Sequence, residues 1–371
     1  MKTLDELREE IDKIDNELSE LLKKRLYASR GVAEYKAANN LPVYHKGREE
    51  NILNSFSEKF SDEEAPFARA FLKNTIRQSR EYQYYLNRNE IEETEFAHTP
   101  SLVCYPGLPG SHSELCAKEL YPDANLCACN SFADVFDRIN NNESAVGVLP
   151  IDNSTAGTVG DVYDLLIENN LSIVRATTRS ISHFLLAPYG AKLCNIKYVY
   201  SHPQALAQCS GYIKDKGYIA IESSNTAVAA EYVASLNDAT VAAIASEDTA
   251  KLYGLDVLDK KINDENTNQT RFICISKTPC ETKSANKMSL AFDLPNEPGA
   301  LADILAIFSD SCINLTKILS RPIPTRPWEY TFYLDCMYTP HNNYLSGLLT
   351  HLMAEVPSVK LLGIYREEEV E

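Results

Sequence analysis

Two basic side chains stand where apolar ones belong. Leu4, Leu7, Ile11, Ile14, Leu18 and Leu21 recur at spacings of three and four residues, the stripe of an amphipathic helix. Arg25 takes the next place in that stripe, and Lys36 follows on the same face, within about 20° by helical geometry. A charge inside a buried stripe must be paired or must hold an anion. Arg8 precedes Arg25 by about 25 Å along one helix axis, too far for both to grip one small molecule from a single helix. An Arg8 supplied by a second, antiparallel chain removes that difficulty. Solvated surface arginines are the plainer alternative.

Three later segments carry groups suited to anions or to donating hydrogen bonds. Tyr105-Pro-Gly-Leu-Pro-Gly-Ser-His-Ser113 is a glycine-rich loop whose backbone amides suit an anion. Asn153-Ser154-Thr155 and Asn268-Gln-Thr-Arg-Phe272 are short polar segments further along the chain. Each is weak alone. A lone Thr-Arg-Phe is ordinarily a strand end.

At 371 residues the chain exceeds one core and predicts two or three domains. Its 44% hydrophobic and 24% charged residues fit a folded chain, and no apolar run is long enough to cross a membrane. A net charge of −16 argues against a general nucleic-acid binder. The charge is uneven: residues 1–90 hold 16 Lys and Arg against 17 Asp and Glu, the remainder 20 against 35. Basic residues kept at one end suit a small anion there, or simply ion-paired helix surfaces. Ten cysteines without a CxxC pair, and seven histidines apart from them, predict neither a zinc ribbon nor a disulfide framework. The acidic start lacks the order of a signal peptide. The expectation is a reduced, cytoplasmic protein.

The elements follow from pattern. Thr3 with Glu6 has the form of a capping box, and no proline interrupts residues 4–38, which predict one helix of about 52 Å. A 90-residue domain, with a radius of gyration near 12 Å, cannot bury such a rod alone, so it is expected to pack against another chain. Helices are predicted at 48–60 and 62–87, and a polar linker at about 91–100. From residue 101 short apolar runs (102–105, 145–150, 199–200, 241–245, 271–275) alternate with helical stretches, an α/β pattern sufficient for two lobes through 278. The last section, 286–367, reads strand 289–294, helix 299–309, strands 314–320 and 329–336, helix 343–354 and strand 359–365. That βαββαβ order is ferredoxin-like.

LxxLRxxIDxIDxxLxxLLxxR from Leu4 to Arg25, then Lys36, Pro42-Val43 and Arg48-Glu49, resembles the all-helical chorismate mutase family over nearly all of residues 1–90. Ser79 and Gln83, at i and i+4 on one helix face, match its polar pair. The resemblance implies an intertwined dimer without cofactor. It implies that Arg8 from the partner, Arg25 and Arg48 surround two carboxylates, Lys36 and Gln83 face the ether oxygen, and Glu49 accepts from the ring hydroxyl. Such a pericyclic rearrangement needs a held geometry and a preorganised cation at the developing charge. His45 departs from the family, which usually has an acidic residue there.

The glycine-rich loop, Leu149-Pro-Ile-Asp-Asn-Ser-Thr-Ala-Gly157, Ser201-His-Pro-Gln-Ala-Leu-Ala-Gln-Cys209 and Asn268–Phe272 together resemble prephenate dehydratase, in order across about 170 residues. That family has two α/β lobes around a cleft, like periplasmic solute-binding proteins. The resemblance implies Thr270 as donor to the leaving hydroxyl, Asn153, Ser154 and Thr155 as further donors, and Gln204 as a lesser candidate. His112 replaces the usual aromatic residue and Asp152 the usual glutamate. Residues 296–305, Asn-Glu-Pro-Gly-Ala-Leu-Ala-Asp-Ile-Leu, and Leu319-Ser-Arg-Pro322 resemble an ACT module, with Leu319 in place of the family's glutamate. That resemblance implies phenylalanine binding at Gly299, Ala300 and Leu301 of one module and Ser320, Arg321 and Pro322 of another, with feedback inhibition.

The expectation is therefore a multidomain chain in three parts: an all-α mutase domain, a two-lobed α/β dehydratase domain and an α+β ferredoxin-like domain. It converts chorismate to prephenate and then phenylpyruvate, with no cofactor, metal, nucleic acid or membrane, as a homodimer or larger homo-oligomer. A solute-binding sensor on the same cleft is one alternative; Thr270 and the set Arg25, Lys36, Arg48 and Glu49 weigh against it. Dehydration of arogenate in place of prephenate is the other.

Overall fold

The computed structural model describes residues 2–91, 100–265, 268–278, 283–356 and 358–369. The chain divides into two compact units, residues 1–92 with 290–360, and residues 93–289 with 361–371.

The first unit opens with α1 (Leu4–Ala38). Thr3 Oγ1 accepts from the Glu6 amide while the Glu6 carboxylate accepts from the Thr3 amide at 2.7 Å, so the expected capping box forms. After α1 come α2 (Lys46–Ser57), capped by the His45 imidazole, and α3 (Ala65–Leu86), with proline in its first turn. Leu53, Phe56, Leu72 and Ile76 join α2 to α3. The stripe of α1 stays bare along the single chain: Leu4, Ile11 and Leu21 are 63%, 56% and 58% exposed.

The second unit has two lobes. β1 (Leu102–Pro106), α4 (His112–Leu120), β2 (Asn125–Cys129), α5 (Phe132–Asn140), β3 (Ala145–Asn153), β4 (Gly157–Thr158), α6 (Gly160–Glu168) and β5 (Ser172–Ser180) make the first. The chain then builds β6 (Phe184–Pro188), β7 (Tyr198–Ser201), α7 (Pro203–Gln208), α8 (Ser210–Lys216), β8 (Ile219–Glu222), α9 (Thr226–Leu236), β9 (Val241–Ala245), α10 (Glu247–Tyr253) and β10 (Leu255–Asp259). It returns through β11 (Gln269–Ser276), which runs antiparallel between β3 and β5. The strands of the first lobe follow the order β5-β11-β3-β1-β2, and those of the second the order β10-β6-β9-β7-β8. β9, antiparallel to β6 and parallel to β7, is buried on both faces, which explains why Val241–Ala245 does not alternate. Gly147 on β3 is required: a Cβ there would stand 2.7 Å from Val135 and 2.9 Å from Ile275.

The last section keeps the βαββαβ order: β12 (Lys287–Leu294), α11 (Ala300–Asp310), β13 (Leu315–Pro322), β14 (Tyr330–Met337), α12 (Asn343–Glu355) and β15 (Lys360–Glu369). Within the first unit α12 lies on α3, where the Tyr84 ring stacks on His351 at 4.6 Å. Gly299 opens α11 at φ +87°, a left-handed conformation that favours glycine. The expected linker falls largely on residues outside those described. Among the described residues no helix is long and apolar enough to cross a membrane.

Candidate functional site

In the first unit, α1, α2 and α3 bring together most of the polar residues singled out above. Arg25 Nε donates to Ser79 Oγ at 3.0 Å, and Ser79 Oγ in turn donates to the Thr75 carbonyl at 2.9 Å. Ser79 and Gln83 are both buried, at 7% exposure, on the face of α3 toward α1. Gln83 Nε2 donates to the Ser79 carbonyl at 3.1 Å, leaving its Oε1 buried without a partner among the described residues. Lys36 Nζ donates to the Val43 carbonyl at 2.6 Å. Burial, then the Arg48 charge, lowers the Lys36 pKa, with Glu49 opposing. Burial raises Glu49 against the pull of Arg80, whose Nη1 lies 3.3 Å from its carboxylate.

Arg48 is exposed and lines an open groove with His45, Gly47 and Asn51. Arg8 is not brought to the cluster by its own chain; it lies exposed, 3.5 Å from Asp5. The sequence reading missed Arg80, which bridges Glu49 and Glu355 at 3.3 Å each and lies over the Tyr44 ring at 4.5 Å. The 3–4 spacing of Arg77, Arg80 and Tyr84 was the available signal.

In the second unit the register of three strands sets a row across one sheet. Asn153 on β3 pairs opposite Thr270 on β11, and Thr270 pairs opposite Arg179 on β5. Side chains opposite one another in register share a face. Asn153 Nδ2 donates to Thr270 Oγ1 at 2.9 Å and to Asn268 Oδ1 at 2.8 Å. Its Oδ1 accepts from the Thr155 and Ala156 amides at 3.0 and 2.8 Å and from Gln204 Nε2 at 3.3 Å. Ser154 Oγ accepts from the Gln269 amide at 2.9 Å. Thus Asn153, Ser154 and Thr270 meet with Gln204, whereas Thr155 contributes its backbone.

Behind this row lies a polar chain that the sequence reading did not single out. Asn268 Nδ2 donates to Gln208 Oε1 at 2.9 Å, and the same oxygen meets His183 Nε2 at 2.9 Å. His112 lies 6.3 Å from His183, ring to ring. Burial, then His183 and Arg179, depresses the His112 pKa to about 3. Burial likewise lowers His183. His112 Nε2, Thr177 Oγ1 and Arg179 Nη1 are buried without a hydrogen-bond partner among the described residues. Buried polar atoms without partners are costly unless a ligand meets them. Arg179 also lines an open cleft of about 580 Å³, with Leu115, Lys118 and Glu119 from one lobe and Asp248, Lys251 and Leu252 from the other. Gln208 and Asn268 lie within quoted motifs, but Arg179 and His183 carried no local signal.

Arg271 of the Thr-Arg-Phe triplet points elsewhere. It is paired with Glu367 and donates Nη2 to Tyr365 Oη at 2.9 Å. In the first unit, Ser320 and Pro322 are exposed on β13, opposite Phe332 and Tyr330 of β14, with Arg321 half-buried between them. Asp303, one turn into α11, is held by Lys73 of α3 at 2.8 Å.

Three family models match the chain in sequence order: chorismate mutase type II at residues 7–84, prephenate dehydratase at 103–280 and the ACT domain at 288–337. The chain is 32% identical over 378 residues to a bifunctional chorismate mutase/prephenate dehydratase of Buchnera aphidicola, covering 98% of this chain and 96% of that one. It is 36% identical over 293 residues to arogenate dehydratase/prephenate dehydratase 2 of Arabidopsis thaliana, covering 76% of each. Among solved structures it is similar to the prephenate dehydratase of Arthrobacter aurescens in complex with L-Phe, with a TM-score of 0.65 and 27% identity over 71% of this chain and 89% of that one.

Proposed function

Because the chain belongs to the family of bifunctional chorismate mutase/prephenate dehydratases, we propose how its residues divide two reactions between them. The chain rearranges chorismate to prephenate and converts prephenate to phenylpyruvate. The observation that carries this is the ordered match of all three models, with relatives of that name aligned over 98% of the chain.

For the mutase, Arg25 binds a substrate carboxylate, its guanidinium aimed by Ser79. Lys36 and Gln83 meet the ether oxygen as charge develops on it, and Glu49 accepts from the ring hydroxyl. Arg48 supports the carboxylates from the rim. Arg8 reaches the site from a second copy, packed along the bare stripe of α1. A homodimer or larger assembly in the cytoplasm belongs to the same reading.

For the dehydratase, Thr270 donates to the leaving hydroxyl. Asn153 donates to Thr270 Oγ1, which occupies a lone pair of that oxygen and turns its O–H outward. Ser154 and Thr155 tie the turn that holds Asn153, and Arg179 receives a substrate carboxylate. As the C–CO₂ bond breaks, its electron pair enters the ring, the C4–OH bond breaks with its own pair, and the departing hydroxide takes one proton from solvent to leave as water. Hydrogen bonds aimed at the departing oxygen in a dry site supply the stabilisation. Feeding chorismate to the purified chain and measuring phenylpyruvate tests this division. Formation of prephenate alone would remove the dehydratase half.

Phenylalanine, bound across Gly299–Leu301 and Ser320–Pro322 of paired modules, is the proposed effector; the relative in complex with L-Phe supports it. An apolar Leu319 removes an acceptor for its ammonium group, so Leu319→Glu should inhibit at lower phenylalanine concentration than the parent. The Arabidopsis relative favours arogenate as a second dehydratase substrate. Comparing phenylalanine formation from arogenate with phenylpyruvate formation from prephenate decides between them.

A further inference from the structure

The first lobe of the second unit holds a sulfur cluster that neither reaction uses. Cys127 and Cys129 are two residues apart on β2 and therefore project from one face. β1 runs parallel beside it, with Cys104 opposite Cys127 and Pro106 opposite Cys129. Register thus brings Cys104 to two thiols that already share one face of β2. Their sulfur atoms all lie within 4.8 Å of one another.

Tetrahedral coordination with Zn–S bonds of about 2.3 Å places sulfurs about 3.8 Å apart. A contraction of about an ångström or less closes the set onto one ion. Cys104 is fully buried and Cys129 is 3% exposed, while Cys127 is half-buried and offers an approach from solvent. Arg138 of α5 donates Nη1 to Cys127 Sγ at 3.1 Å. Buried cysteines alone serve as small hydrophobes, but that role does not call for a guanidinium on a sulfur.

We propose that Cys104, Cys127 and Cys129 bind one thiophilic divalent cation of the zinc class, with Arg138 as the positioning and charge-balancing residue. Binding converts three thiols to thiolates and releases three protons. The resulting tris-thiolate complex carries one negative charge, which the Arg138 guanidinium offsets. The exposed side at Cys127 leaves a fourth position to water.

The test is titration of the reduced, metal-stripped full-length chain with Cd(II), followed by the thiolate-to-metal charge-transfer band, and with Zn(II) against a chromophoric chelator. One equivalent should bind per chain. Cys127→Ser, chosen because it is the least buried ligand, should weaken binding at least tenfold, and Arg138→Leu by about 10–100-fold, as outer-sphere partners do. Prephenate dehydration retained in both variants reports an intact fold. The double variant Cys194→Ser with Cys312→Ser, which removes two exposed thiols, should bind as the parent does. Unchanged binding in Cys127→Ser, or loss in the exposed-thiol variant, overturns the site.

Discussion

Asn153 Nδ2 stands 2.9 Å from Thr270 Oγ1 across neighbouring antiparallel strands, and it donates. Thr270 is thereby left with its proton to give. Asn153→Ala removes the orienting donor and should lower dehydration about 10–100-fold, less than Thr270→Val, which removes the donor itself and should cost about 10²–10³. Rates for both variants on added prephenate check the order. A larger loss in Asn153→Ala would make Asn153 the direct donor.

Arg179 lies on the other side of Thr270 in register, with Nη1 buried and without a partner among the described residues. Arg179→Gln should raise KM for prephenate about tenfold or more, the worth of one charge-assisted hydrogen bond. A steady-state comparison reads it, and an unchanged KM would place the substrate carboxylate elsewhere.

His112 gives the dehydratase part an acid sensitivity. Its pKa falls from 6.5 to about 3 through burial, then His183 and Arg179. The unfolded chain therefore takes up a proton that the folded chain refuses. Stability is full above about pH 6.5 and is lost as pH falls toward 3. In urea titrations at pH 7 and 4.5, the parent should lose on the order of 2 kcal/mol more than His112→Phe. Equal losses would contradict this.

Much of the fold was legible in the sequence, because local pattern and tertiary packing agree. Residues 4–38 read as one helix from their stripe, their cap and the absence of proline, and α1 spans Leu4–Ala38. Helix α3 begins three residues later than predicted, because Pro66 sets its first turn. β2 was not anticipated, since Asn125–Cys129 is short and mostly half-exposed at the sheet edge. Arg25, Lys36, Ser79 and Gln83 were visible because they share helix faces. Arg179, His183 and the three-cysteine cluster were not: strand register brings Arg179 beside Thr270 and Cys104 beside Cys127, and register is a non-local property.

Arg8 lies apart from Arg25 and Lys36 in its own chain. Arg8→Ala and Arg25→Ala chains, each nearly inactive as mutases, should regain activity when mixed under subunit exchange, since one site in each hybrid dimer has both arginines. About a quarter of the parental activity is expected, on the order set by random pairing of two independent sites. No recovery, with exchange demonstrated, would place Arg8 outside the site.

The central claim is that one chain carries two separate sites, and crossed substrates test it most directly. Lys36→Ala and Thr270→Val are each given chorismate and, separately, prephenate. Lys36→Ala should lose about 10²–10³ in chorismate turnover while dehydrating added prephenate as the parent does. Thr270→Val should turn chorismate over normally and accumulate prephenate. A single substitution that abolishes both reactions in a folded chain, or a Lys36→Ala chain with normal mutase activity, would contradict the account.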